Sequence, residues 1–117
     1  FINVLFNAYV QAFNLRHSRR GPLFEGRFRH VWVDREEYLL HLCRYIHLNP
    51  VMAGLAANPD DWPHSDYLDW TGKRAGPLPD RAFIQEHFGT GEDYRQFVAN
   101  YRDEARNRRS IERYAWD

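Results

Sequence analysis

The chain has 117 residues, of which 44% are hydrophobic and 16% aromatic, and its formal net charge at pH 7 is zero. This length fits about one domain, and the apolar content is enough for a buried core. The single cysteine excludes an intrachain disulfide framework, and no apolar run approaches the roughly 20 residues that span a bilayer. We therefore expect a soluble, cytoplasmic protein without a membrane segment.

The charges are unevenly distributed along the chain. Residues 1–50 hold seven Arg and four acidic residues, a net +3, whereas residues 51–117 hold nine Lys and Arg against twelve acidic residues, a net −3. The positive charge is densest between Asn14 and His30, where Glu25 is the only acidic residue. Arginine contacts phosphate through paired donors, so this segment predicts an anionic partner. Its arginines are Arg16, Arg19, Arg20, Arg27 and Arg29.

The N-terminal part predicts one helix and one strand. Residues 1–14, FINVLFNAYVQAFN, carry apolar side chains at spacings of three and four, which indicates an amphipathic helix. The helix should end before the Gly21-Pro22 step. Residues 27–33 then alternate, with aromatic and β-branched side chains, as in a strand. Because the chain starts with Phe1 inside a helical pattern, we expect it to be a piece of a longer protein.

A second helix is predicted from Arg35 to about Leu48. Asp34 is expected to cap its start. The Asn49-Pro50 step is expected to stop it, because proline disfavours a helical conformation in the preceding residue. The side that faces the core should consist of the apolar residues Leu39, Leu42, Cys43 and Ile46.

A polar side of this helix lies beside the apolar one. At about 100° per residue, Tyr38, His41 and Tyr45 share it, and Asn49 follows one turn beyond Tyr45. Spacing alone leaves two interpretations of Tyr45 open. It could be an amphipathic tyrosine with a buried ring and a solvated hydroxyl, or its hydroxyl could be catalytic. His41 could favour a phenolate or be an ordinary helix histidine. His47 points away from Tyr45 and is interpreted as structural.

The rest of the chain predicts loops and two shorter helices. Residues 73–79 are predicted to be a linker. Asp80 is expected to cap a helix over residues 81–88, which Gly89 ends. A last helix from about Glu92 carries an apolar stripe. The stripe consists of Tyr94, Phe97, Val98, Tyr101 and Ala105.

The chain contains three ordered segments that resemble the REP-associated tyrosine transposases, a family of single-tyrosine, HUH-type bacterial transposases: FNLRHSRRGPLFEGRF, YLLHLCRYIHLNPVMAGL and DDWPHSDY. The resemblance covers roughly residues 1–72. It implies an α+β, ferredoxin-like fold for the intact protein, of which this chain would keep mainly helices and one or two strands. Residues 1–72 would be the C-terminal part of the catalytic domain, and residues 80–117 a helical C-terminal extension.

The resemblance also implies a reaction and a set of site residues. The family cuts and rejoins single-stranded or hairpin DNA through a covalent 5′-phosphotyrosine. By position in the motif, Tyr45 would be the nucleophile, and Asn49 would help to hold a divalent cation, Mg²⁺ or Mn²⁺. The five arginines between residues 16 and 29 would contact the DNA. The family's metal-binding His-hydrophobic-His pair is absent from this sequence, so we expect the isolated chain not to cleave DNA.

Other interpretations stay open. The chain could be a non-catalytic helical DNA-binding module, or a folded remnant with neither role. The arginines could form a solvated face paired with Glu25, Glu36 or Glu37. Phe24 and Phe28 are interpreted as core residues, with base stacking as the alternative. A homodimer is left open, and aromatic side chains that lack cover predict self-association or marginal stability.

Overall fold

The computed structural model describes residues 1–103. This part of the chain divides into two compact units, unit 1 with Phe1–His30 and unit 2 from Val31 onward. Its regular structure is helical throughout. The helices are α1 (Ile2–Arg16), α2 (Glu36–Met52), α3 (Tyr67–Trp70), α4 (Arg81–Phe88) and α5 (Gly91–Asp103), and a 3₁₀ turn at Pro59–Asp61 lies between α2 and α3.

Residues 27–33 do not form the predicted strand, and residues 1–103 contain no strand at all. The α+β class is therefore wrong for the described part of the chain, although the expectation of a mainly helical fragment agrees with the helices found. An alternating segment becomes a strand only where a neighbour pairs with its N–H and C=O groups. No described segment does so, and the side chains of Val31 and Trp32 remain 53% and 85% exposed.

Unit 1 consists of α1 and the loop that follows it. The helix predicted over residues 1–14 is confirmed and continues to Arg16. The Phe6 ring packs against the rings of Phe24 and Phe28, with centroids 5.3 and 6.2 Å apart. No residue of α1 is buried, and Phe24 and Phe28 are 48% and 36% exposed. Their interpretation as core residues is therefore wrong, because the loop covers only part of the apolar side of α1.

The ends of α2 differ from the prediction. Arg35, in an extended conformation, is the N-cap residue instead of Asp34, and no side-chain hydrogen bond caps the helix there. At the other end, α2 continues through Pro50 to Met52 instead of stopping before the proline. Proline removes one helical N–H donor, but this loss does not end a helix whose last turn is closed by groups further along the chain.

Gly54 and Leu55 close that last turn. The Leu55 N–H donates to the Pro50 carbonyl at 2.8 Å, and the Gly54 N–H donates to the Val51 carbonyl at 3.1 Å. This pair of bonds is the Schellman pattern, which needs a left-handed residue directly after the C-cap. Gly54 supplies it, with a φ of 72°.

The core of unit 2 lies between α2, α3 and α5. Its buried hydrophobic residues are Leu48, Tyr67, Tyr94, Val98 and Tyr101. Three of these come from the stripe predicted on the last helix, and Phe97 of the same stripe is half-buried against them. The stripe is confirmed as far as the structure describes it, since Ala105 lies outside the described residues. The amphipathic pattern of α5 therefore supplies about half of this core.

α2 turns a different side to the core than the one predicted. Arg44, His47 and Leu48 are buried, whereas Leu39 and Ile46 of the predicted side are 37% and 55% exposed. Of the predicted side, Leu42 packs against the core cluster and Cys43 is half-buried. The prediction counted apolar side chains alone. Burial of a charged or polar group is unfavourable unless it finds a partner, and Arg44 and His47 both find partners on neighbouring elements, as described below.

The predicted ends of α4 are confirmed, and α5 begins at Gly91, one residue before the predicted start. The Asp80 carboxylate accepts a hydrogen bond from the Phe83 N–H at 3.1 Å, and Gly89, with a φ of 78°, follows the last residue of α4. Thr90 and Asp93 form a reciprocal capping box at the start of α5. The Thr90 N–H donates to Asp93 Oδ2 at 2.8 Å, and the Asp93 N–H donates to Thr90 Oγ1 at 3.1 Å.

A buried carboxylate ties the segment before α4 to α3. Asp69 is 2% exposed and accepts hydrogen bonds from Arg74 Nη2 and from the Gly76 N–H, each at 2.7 Å. Arg81 Nη1 donates to the Asp69 carbonyl at 3.0 Å. A Cβ at Gly76 would lie 2.6 Å from Asp69 Oδ1, so the close approach of backbone to carboxylate requires glycine there.

Replacing Gly54 by alanine should lower the free energy of unfolding by about 1 kcal/mol, because a Cβ strains a left-handed backbone. The strain is conformational, since no atom lies within 4 Å of a Cβ built at this position. Asparagine adopts this conformation more readily, so Gly54→Asn should cost less than Gly54→Ala. Urea unfolding gives the free energies of unfolding of the wild type, Gly54→Asn and Gly54→Ala. Equal stability of all three proteins would contradict the capping role.

Candidate active-site helix

Tyr45 lies near the middle of α2, and its ring packs against the core of unit 2. The side chain is half-buried. The hydroxyl has no hydrogen-bond partner among residues 1–103, and it is not one of the buried polar atoms that lack one, so it is not completely buried. A fixed ring with an unpaired hydroxyl at the edge of the core suits a nucleophile on a stiff support, and it is also the usual position of an amphipathic tyrosine.

Arg44, the residue before Tyr45, anchors α2 to α5. Its buried guanidinium lies over the rings of Phe97 and Tyr101, 4.5 and 4.7 Å from their centroids. Nη1 of Arg44 donates to the Phe97 carbonyl at 3.4 Å, and Nη2 donates to Nδ1 of His41 at 2.5 Å. Because Arg44 adjoins Tyr45 in the chain, these contacts fix the backbone from which the tyrosine projects.

The bond from Arg44 also determines the hydrogen bonding of His41. A guanidinium donates and cannot accept, so Nδ1 of His41 is the acceptor, and the neutral ring carries its proton on Nε2. His41 also stacks on Phe97, with centroids 6.4 Å apart. These contacts favour the interpretation of His41 as a packed helix histidine over a role in forming a phenolate.

His47 lies on the buried side of α2 and is structural, as predicted. Its Nε2 lies 2.8 Å from Asp66 Oδ1, and its Nδ1 lies 2.5 Å from the Tyr94 hydroxyl. The Trp70 indole N–H donates to Asp66 Oδ2 at 2.8 Å. This chain of four side chains, which we call the His47 network, joins α2 and α5 to α3 and the residue before it.

The His47 network is fully satisfied when His47 is neutral. Asp66 then accepts from Nε2–H, and Nδ1 accepts from the Tyr94 hydroxyl. Burial lowers the pKa of His47 and outweighs the opposite effect of Asp66. Burial acts to raise the pKa of Asp66, but the hydrogen bonds from His47 and Trp70 reverse that effect and lower it. All four groups therefore keep their partners near neutral pH.

The order hydroxyl, imidazole, carboxylate in this network resembles the arrangement of a nucleophilic triad. Tyr94, however, is 0% exposed, and burial raises the pKa of its hydroxyl. A substrate could reach this oxygen only by displacing the core. The His47 network therefore stabilises the fold, and Tyr94 is not a candidate nucleophile.

Asn49, the predicted contributor to a metal site, lies one turn after Tyr45 on the same side of α2. Its side chain is exposed, and its carbonyl accepts the Ala53 N–H at 2.9 Å. Residues 1–103 contain no group of three or more acidic, histidine or cysteine side chains that could hold a metal ion. Cys43 does not add a thiolate ligand readily, since burial raises the pKa of its thiol to about 11.

The five predicted DNA-binding arginines all belong to unit 1, and their side chains are exposed. Arg19 is held in the loop: it donates to Asn14 Oδ1 at 3.4 Å and to the Pro22 carbonyl at 3.3 Å. Arg16 ends α1, and Arg20, Arg27 and Arg29 follow in the loop. The cluster is therefore a surface feature of unit 1, while Tyr45 and Asn49 belong to unit 2.

The sequence did not predict the contacts of three residues that organise unit 2. These residues are Arg44, which contacts α5, and Asp66 and Tyr94, which share hydrogen bonds with His47. The sequence alone assigns no role to Arg44 or Asp66, and it places Tyr94 only in the apolar stripe of the last helix. The only available signal was indirect. The sequence places an arginine and a histidine three residues apart on one helix side, and an aromatic-rich last helix provides rings and a hydroxyl to receive them.

The chain matches no family model, no curated protein and no solved structure. Within residues 1–103, no helix combines the length and apolar character that a bilayer crossing requires. The resemblance to tyrosine transposases therefore stays a hypothesis, to be judged on the chemistry that the residues allow.

The stability that His47 contributes should decrease on acidification. Its folded pKa is lowered, so the unfolded chain binds a proton below about pH 6.5 before the folded chain does, and stability is lost as pH falls through that value. We expect the difference in free energy of unfolding between the wild type and His47→Gln to shrink from about pH 7.5 to about pH 5.5. Urea unfolding at the two pH values measures it.

His87→Gln is a matched control with the opposite sign. A hydrogen bond to the Phe83 carbonyl, together with Glu36 at 2.6 Å, raises the pKa of His87. Its contribution is therefore present below about pH 6.5 and lost as pH rises through the raised value. The difference in free energy of unfolding between the wild type and His87→Gln should therefore grow on acidification. The same pH trend in both variants would contradict the assigned protonation of His47.

Proposed function

We propose that this chain is the tyrosine-bearing part of a bacterial transposase that cuts and rejoins single-stranded or hairpin DNA. The observation that carries the proposal is the position of Tyr45: its ring packs against the core, its hydroxyl is not completely buried, and Arg44 anchors the backbone beside it. The motif RYIHLNPVMAGL around Tyr45 supports the same reading. The proposed compartment is the bacterial cytoplasm, where such DNA is found.

In the proposed reaction, the phenolic oxygen of Tyr45 forms a bond to a backbone phosphorus, and the bond from that phosphorus to the 3′ oxygen breaks. The proton of the phenol is lost, and the leaving 3′ oxygen gains a proton to become a hydroxyl. The 5′-phosphotyrosine keeps the energy of the phosphodiester, so the reverse step rejoins a strand without ATP. The role of this chain is to present the hydroxyl on a stiff helix.

A divalent cation, Mg²⁺ or Mn²⁺, would make the phosphorus more electrophilic. Such a cation takes about six oxygen ligands, and the described residues offer the Asn49 amide oxygen without an acidic or histidine cluster beside it. These residues do not by themselves make a cation site, so we assign no step to it. Asn49 is proposed as a contributor only, and the isolated chain is expected not to cleave DNA.

Replacing Tyr45 by phenylalanine should abolish the covalent DNA adduct and leave DNA affinity unchanged, since only the attacking oxygen is removed. The test uses protein from the native reading frame, an end-labelled hairpin substrate and denaturing electrophoresis. Tyr38→Phe is the matched control, because Tyr38 is a second half-buried tyrosine of α2 and should keep the adduct. An adduct that survives Tyr45→Phe would contradict the proposal.

Absence of an adduct from the wild type, with DNA binding intact, would favour the non-catalytic DNA-binding module. That second function is supported by the arginines of unit 1, which stand against a single acidic residue in residues 1–30. The same assay therefore separates the two functions.

The arginines should contribute to DNA affinity through phosphate contacts. For single strands, each lost contact should reduce the slope of log affinity against log salt by about 0.7. Arg20→Ala and Arg27→Ala should each show this change. Arg35→Ala is the control, because Arg35 is paired with Glu37 at 3.6 Å and lies in unit 2. An unchanged slope in the first two variants would remove these residues from the interface.

A further inference from the structure

Unit 1 contains an apolar pocket that its own side chains do not fill. The pocket has a volume of about 540 Å³, within the range of about 300–1,000 Å³ that is typical of small-ligand sites. Two of its aromatic side chains, Tyr9 and Phe24, are 53% and 48% exposed. Their rings are therefore accessible to a flat ligand. The lining residues are Leu5, Phe6, Tyr9, Phe13, Leu23 and Phe24.

Positive charge lies at the edge of this pocket. The guanidinium of Arg19 is 5.8 Å from the centroid of the Phe13 ring, and Phe13 lines the pocket. The bonds from Arg19 to Asn14 and Pro22 use two N–H groups, and a guanidinium has more donors than these. The loop that carries Arg19 is itself tied to α1, because Asn14 Nδ2 donates to the Gly21 carbonyl at 2.9 Å.

The charge of the whole unit favours a polyanion. Residues 1–30 hold five Arg, no Lys and one Glu, a net charge of +4. An apolar peptide or a second copy of this unit would bring no net negative charge to offset it. Aromatic rings beside arginines are the combination that proteins use for single-stranded nucleic acid, where bases stack on rings and phosphates meet cations.

We propose that this pocket binds unstacked bases of single-stranded DNA, with the flanking phosphates at Arg19 and the neighbouring arginines. The choice of DNA over another polyanion rests on the proposed function. What the pocket adds is a base-binding subsite in unit 1, formed by ring faces such as that of Phe24. Stacking on rings tolerates any base, so this subsite distinguishes single strands from duplexes without reading a sequence.

The test compares two oligonucleotides of equal charge with the full chain. One is a run of about eight thymidines, a length within the usual span of such sites, and the other is an abasic oligomer with the same number of phosphates. Fluorescence anisotropy should show about tenfold tighter binding of the thymidine oligomer, the effect of about one stacked base. Phe24→Leu, which keeps an apolar side chain but removes the ring, should abolish that preference without changing the salt slope.

Two further variants make the result specific. Phe24→Tyr keeps the ring and should retain the preference. Leu15→Ala removes an apolar side chain that is 85% exposed and does not line the pocket, and it should behave as the wild type. Equal affinity of the wild type for both oligomers, or a preference that persists in Phe24→Leu, would overturn the subsite. So would sedimentation showing that a second copy occupies the pocket and that DNA does not displace it.

The outcomes for the subsite and for the enzyme are separable. If the wild-type native protein forms no covalent DNA adduct but still prefers the thymidine oligomer, the transposase is rejected and the subsite is kept. An adduct that depends on Tyr45, with no preference for bases over the abasic oligomer, would keep the transposase and reject the subsite.

Discussion

The structure of unit 2 depends on burying two basic side chains of α2 against α5. Arg44 lies over the rings of Phe97 and Tyr101, and His47 shares hydrogen bonds with Tyr94 and Asp66. A buried charge or polar group is costly without partners, so these contacts determine which side of α2 can face inward. The rotation of α2 about its axis, and hence the exposure of Tyr45, follows from them.

Because α2 is rotated in this way, apolar side chains on its opposite side remain exposed to solvent. Leu39 and Ile46 face outward within unit 2, and Trp32 before α2 is largely exposed. In unit 1, α1 likewise has no buried residue. Neither unit, as described, closes its apolar surface completely. This is the surface pattern that accompanies binding or association in other proteins.

The sequence predicted most of the features that depend on neighbours along the chain. The first helix, the Asp80 cap, the end of α4 at Gly89 and the stripe of α5 were all correct, because caps and helical periodicity act over a few residues. The Asn49-Pro50 stop was wrong because residues beyond the proline closed the helix. Local signals therefore predicted where helices form but not every helix end, since Arg35 and not Asp34 is the N-cap residue of α2.

Features that depend on distant partners were not predictable in the same way. The strand over residues 27–33 needed a pairing segment, which the described chain does not contain. The side of α2 that faces the core depended on Tyr94 and Phe97, about fifty residues away. The positions of apolar residues on the helix could not identify that side. For the candidate site, the resemblance motif singled out Tyr45, and only the fold indicated that the Tyr94 hydroxyl is buried while that of Tyr45 is not completely buried.

The arrangement of aromatic residues makes the two units optically distinct. Residues 1–30 contain no tryptophan, and Tyr9 is their only tyrosine. Trp70, by contrast, donates to Asp66 and meets the His47 ring edge-on at 5.1 Å. All four tryptophans therefore lie outside residues 1–30, and Trp70 is the indole whose emission depends on its contacts with Asp66 and His47. Loss of order in unit 2 can thus be followed in solution through its tryptophans.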